Sequence, residues 1–122
     1  MFRWCRPFVS GRFPRAVIDT DAQLADWLPR LRDAPWLALD TEADSLHAYP
    51  EKICLLQVSL PGHDLLIDPL ARLELAPLLE VFRNHELLMH GADYDLRMLR
   101  RGYGFVTGQA DLEEADFFRV GV

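Results

Sequence analysis

Three short, almost wholly apolar runs constrain this chain more than anything else in it. They are Trp36–Thr41, Ile53–Ser59 and His63–Ile67. A half-covered strand alternates apolar and polar residues, whereas runs like these ask for cover on both faces, as in the centre of a layered α/β sheet. Pro61-Gly62 lies between the last two and predicts a hairpin. "ELLMH" predicts a fourth, short strand.

Helical spacing fills the gaps. Thr20 and Gln23 have capping-box spacing ahead of Leu24, Leu28 and Leu31, so a helix is predicted from Thr20 to Arg32. Pro29 is expected to kink that helix or end it early. "DPLARLELAPLLEVFRN" predicts a second helix, with Leu75, Leu78, Leu79 and Phe82 on one side. Asp93 is read as the N-cap of a third helix that ends near Gly102. The expected order is α-β-β-β-α-β-α. This is an α/β fold with a mixed sheet flanked by helices, hairpin-rich in its first half and βαβ-like in its second.

Bulk properties narrow the class. At 122 residues there is room for one compact domain. The net charge of −6 gives no electrostatic support to nucleic-acid binding. The distribution is uneven, however: Arg3, Arg6, Arg12 and Arg15 all precede the first acidic residue, Asp19. Residues 1–16 are read as a solvated basic arm. No apolar run is long enough to cross a bilayer, so a soluble protein without membrane association is expected. Cys5 and Cys54 are too few and too scattered for a disulfide framework or a zinc site, which suits a reducing, cytoplasmic compartment.

The first run, "WLALDTEAD", delivers carboxylates to the end of a strand. Residues two apart on a strand share a face, about 6.5–7 Å apart. Asp40 and Glu42 therefore project together, with Thr41 on the opposite side. Two carboxylates so placed repel, and a hard divalent cation, Mg2+ or Mn2+, removes that cost. Asp40, Glu42, Asp44 and Glu51 also fall at positions 1, 3, 5 and 12 of an EF-hand-like loop. Ser45 stands where that loop needs glycine, and the preceding segment reads as a strand, so calcium binding is set aside. A second acidic group, "HGADYDL", follows a short strand and opens a helix. If that strand lies beside the first, Asp95 approaches Asp40 and Glu42.

Taken together, "LALDTEADSLHAYPEKICLLQVS", "LLIDPL" and "LLMHGADYDLRML" resemble the ribonuclease D family of DEDD-type 3′–5′ exonucleases. The resemblance runs from about Val17 to Phe105. It implies a ribonuclease H-like fold and a two-metal mechanism using Mg2+ or Mn2+. Asp40 and Glu42 match the family's first motif, and Asp95, behind Tyr94 and His90, matches the second. By the same resemblance Asp40 touches both metals, Glu42 the nucleophile-side ion and Asp95 the other. Thr41, Leu46, His47, His90 and Tyr94 are expected to contact substrate, with Leu46 and His47 wedged against the terminal nucleotide. Nucleic acid is the implied partner, RNA ahead of DNA, with RNA or tRNA processing as the role.

The family's fourth carboxylate belongs to a third motif that these residues do not contain. Residues 17–105 are accordingly read as the N-terminal part of an exonuclease domain, C-terminally incomplete and truncated, and residues 106–122 as a divergent acidic tail. Weak or absent activity is expected of such a chain. The alternative is a non-catalytic nucleic-acid-binding remnant or partner domain. An α/β phosphatase with Asp40 as nucleophile would want an aspartate in place of Glu42 and a downstream lysine. The sole lysine is Lys52, which argues against it.

Overall fold

The computed structural model describes residues 15–44, 51–106, 109–110 and 118–121. Within these, one mixed sheet of seven strands forms the backbone of the fold. In chain order the strands are β1 (Arg15–Ile18), β2 (Leu37–Asp44), β3 (Lys52–Leu60), β4 (His63–Ile67), β5 (Leu87–Met89), β6 (Gln109–Ala110) and β7 (Phe118–Gly121). Across the sheet they lie in the order β1-β4-β3-β2-β5-β7-β6. The hairpin is present: β3 and β4 pair antiparallel about Gly62, whose φ of 78° suits a residue without a Cβ. β2 lies antiparallel to β3 on one side and parallel to β5 on the other.

Three helices connect these strands: α1 (Asp21–Asp33), α2 (Ala76–Arg83) and α3 (Ala92–Tyr103). The capping box of α1 is formed. Thr20 Oγ1 accepts from the Gln23 amide at 3.2 Å, and Gln23 Oε1 accepts from the Thr20 amide at 3.1 Å. Leu24, Leu28 and Leu31 are buried as the spacing predicts. Pro29 does not end α1, which runs on to Asp33. The proline and Ala25, whose carbonyl loses its intrahelical donor, are both exposed, so water can take the freed carbonyl. His85 pins α1 to α2, with Nδ1 2.8 Å from the Val81 carbonyl and Nε2 3.2 Å from that of Ala34.

Two further expectations are corrected. Asp93 is not the cap of α3: Gly91 is, at φ 63°, and Asp93 lies exposed in the first turn. The helix passes Gly102 and stops at Gly104, whose left-handed φ of 65° ends it. β1, β6 and β7 are additions to the expected order. β1 is parallel to β4, and β7 is antiparallel to β5.

Registration across the sheet separates its two faces. One row runs Ile18–Ile67–Leu56–Thr41 and is 0–7% exposed throughout. This face carries the main core, to which α1, α2 and α3 contribute Leu28, Phe82 and Leu99. The adjacent row on the other face runs Val17–Leu66–Gln57–Asp40 and opens to solvent at both ends. The acidic end of β2 is thus a rigid edge between a dry face and a wet one.

Candidate active site

Leu37 and Leu39 anchor β2 in the core at 0% and 3% exposure. Strand alternation then turns Asp40 and Glu42 to the open face and Thr41 inward. The register shifts between Glu42 and Ala43, a bulge of the kind that re-aims side chains beside active sites. The Thr41 amide donates to Asp40 Oδ1 at 3.0 Å. Burial raises the Glu42 pKa above its ordinary value, and the neighbouring Asp40 charge adds to the rise.

β5 lies parallel beside β2, with Leu37 opposite Leu87 and Ala38 opposite Leu88. The chain leaves β5 through His90 and Gly91 and enters α3, which delivers Asp95 to the end of β2. Asp95 is 4% exposed, and the buried Thr41 hydroxyl donates to its Oδ1. Burial is the largest influence on this carboxyl and pushes its pKa up to about 6. The Thr41 bond opposes that rise, repulsion from Asp40 and Glu42 adds to it, and the His90 charge offsets part of it.

The other expected site residues divide into three groups. His90 and Tyr94 both precede Asp95 in the chain, and both are exposed. Thr41, expected to contact substrate, instead turns its hydroxyl inward to Asp95; its place in the core row leaves it 7% exposed. Leu46 and His47 lie outside the described residues, as do most of the basic arm and most of the acidic tail.

Glu51, which the EF-hand-like spacing offers only as a calcium ligand, binds protein groups instead. Its carboxylate accepts from the Tyr94 hydroxyl at 2.6 Å, and its carbonyl accepts from Arg101 at 3.2 Å. The start of β3 is thereby tied to both ends of α3. The Tyr94 pKa is raised, first by this bond to Glu51. No local pattern links positions 43 residues apart, so only the folded chain reveals the contact.

Three carboxylates are the right donors for a hard cation, which takes oxygen ligands and tolerates neighbouring negative charge. Their charges already influence one another. Among the described residues, however, no group of three or more His, Cys, Asp or Glu side chains is so placed that it could hold a metal ion together. The donor chemistry fits Mg2+ or Mn2+. Asp95, as placed, is engaged with Thr41.

Residues 16–114 match the 3′–5′ exonuclease family. Ribonuclease D of Jannaschia sp. (strain CCS1) is 39% identical over 92 residues, covering 70% of this chain and 24% of that protein. The crystal structure of Escherichia coli RNase D, described as an exoribonuclease involved in structured RNA processing, superposes with a TM-score of 0.71 at 28% identity. That match covers 79% of this chain and 26% of the other. The EXD2 exonuclease domain soaked in Mn gives a TM-score of 0.61 at 25% identity, covering 77% and 52%. The chain belongs to the 3′–5′ exonuclease family, in its ribonuclease D-like branch, and has the ribonuclease H-like fold. It spans about a quarter of the length of the ribonuclease D proteins it matches, 24% and 22% in two of them.

Proposed function

We propose that this domain removes nucleotides from the 3′ end of RNA, with Asp40, Glu42 and Asp95 holding Mg2+ or Mn2+ at the reacting phosphate. The carrying observation is the parallel pairing of β2 with β5, which brings the helix bearing Asp95 to the strand bearing Asp40 and Glu42. The E. coli relative's role in structured RNA processing favours RNA over DNA. The Mn-soaked EXD2 domain favours a divalent ion. Bound divalent cations would supply charge to stabilise the phosphate and a water acidic enough to attack it.

The chain's own residues have separable roles in this reading. Asp40 and Glu42 offer oxygens on the open face, and Asp95 supplies a third carboxylate from the neighbouring helix. His90 and Tyr94, exposed beside Asp95, contact the 3′-terminal nucleotide, and Leu46 and His47 stack against it. Residues 17–105 form the exonuclease unit, working in a cytoplasmic setting.

A second reading is a nucleic-acid-binding domain without hydrolysis. It draws on the finding that no three His, Cys, Asp or Glu side chains among the described residues are placed to hold a metal ion together. RNA labelled at its 3′ end, incubated with the purified chain and Mn2+ or Mg2+, separates the two. Metal-dependent release of labelled mononucleotide, lost in Asp40→Asn, is expected. Release that survives both chelation and Asp40→Asn, or cleavage at internal positions, contradicts the proposal. RNA binding with no cleavage in either metal favours the second reading.

A further inference from the structure

We propose that Thr41 is a positioning residue: its hydroxyl orients Asp95 and its amide orients Asp40, so that both carboxylates keep an oxygen free for the same cation. The inference rests on the reading of Asp40, Glu42 and Asp95 as metal ligands, and deepens it.

Thr41 ends the buried row Ile18–Ile67–Leu56–Thr41 and is its sole polar member. Valine would fill that place with nearly the same shape and no hydroxyl to accommodate. A buried hydroxyl without a partner costs about 1–3 kcal/mol, so a threonine there needs an acceptor. Asp95 Oδ1 is that acceptor. On its backbone side, the same residue donates to Asp40 Oδ1. One residue therefore contacts two of the three carboxylates, from two separate elements of the fold.

The geometry of a carboxylate makes this useful. Each has two oxygens and about four acceptor sites, and a single donated bond to Oδ1 leaves Oδ2 uncommitted. Fixing Oδ1 restricts the rotation of the group and sets where Oδ2 can point. Metal-binding carboxylates are commonly held in this way by an outer hydrogen-bond partner, and loss of such a partner costs about 10–100-fold in metal affinity. The opposite arrangement, with the bond holding Asp95 away from the cation, predicts tighter binding once the bond is removed.

Mn2+ titration of the 122-residue chain, followed by the loss of the free-ion EPR signal, distinguishes these. Thr41→Val is expected to bind Mn2+ about 10-fold more weakly than wild type, and Thr41→Ser to recover the affinity. A purely structural threonine would lower the melting temperature in Thr41→Val and leave Mn2+ affinity unchanged. If Thr41→Val does not melt cooperatively, Thr41→Ala removes the hydroxyl without adding a methyl and gives the same comparison. Unchanged or tighter binding in a folded variant overturns the inference while leaving the carboxylate site standing. A wild-type chain without a saturable Mn2+ site overturns both.

Discussion

The Thr41 hydroxyl donates to the Asp95 carboxylate across 54 positions of sequence, and both residues are buried. This contact joins a strand in the middle of the sheet to the first turn of α3. It places an ionisable group where solvation is poor and two further carboxylates are near. The bond reduces the cost of charging Asp95 without removing it, so the fold holds electrostatic strain at the proposed site.

That strain has a sign. The folded pKa of Asp95 is about 6, against an ordinary value of 3.8. Between those values the folded state binds the proton more tightly than the unfolded state. The contribution to stability is therefore fully present below pH 3.8 and is lost as pH rises through about 6. A shift of this size corresponds to about 3 kcal/mol. Asp95→Asn, assayed by urea unfolding in a chelator, should be more stable than wild type at neutral pH. The difference should close as pH falls toward 4. A constant difference across that range contradicts the account.

Pro29 breaks the donor pattern of α1 on an exposed face. Pro29→Ala restores the hydrogen bond to the Ala25 carbonyl and should stabilise the chain by about 1–2 kcal/mol, after the greater freedom of the unfolded chain is offset. Chemical denaturation gives the value. A loss of stability would mean that the proline is needed for the path of the helix.

Phe105 is 1% exposed and meets Phe82 edge-on, with ring centroids 6.4 Å apart. The Arg83 guanidinium lies over the Phe105 ring, 5.5 Å from its centroid. Phe105→Ala should cost about 3–5 kcal/mol by leaving a cavity where α2 meets the segment after α3. A loss below 1 kcal/mol in equilibrium unfolding would show that this segment is not part of the cooperative core.

Tyr94 is 44% exposed and bonds to Glu51 at 2.6 Å. Tyr94→Phe should cost less than about 1 kcal/mol, because water competes for both groups at the surface. Should the substitution also weaken binding of RNA at unchanged stability, Tyr94 contacts the nucleotide directly. Unchanged RNA binding assigns it to the fold alone.

Much of this arrangement was legible in the sequence because the signals are local. "LALDTE" shows its apolar entry and its two carboxylates within six residues. The capping box of α1 is a three-residue spacing, and the Pro61-Gly62 turn is a dipeptide. The missed features depend on distant partners. β1 is four residues long and takes its pairing from β4, so "RAVI" carries little signal alone. The cap of α3 was misread because aspartate is a good cap by type, whereas Gly91 takes the position through a left-handed backbone. The spacing sets Thr41 on the face opposite Asp40, as found, but gives no sign of its partner there. Its bond to Asp95 exists only once β5 has docked beside β2.

The central claim is that Asp40, Glu42 and Asp95 form one divalent-cation site, and Mn2+ titration of the three single variants tests it most directly. The account predicts one saturable class of Mn2+ in the wild-type chain, weakened by each of Asp40→Asn, Glu42→Gln and Asp95→Asn while the fold is kept. Wild-type affinity in all three variants, or no saturable Mn2+ in the wild type, would contradict it.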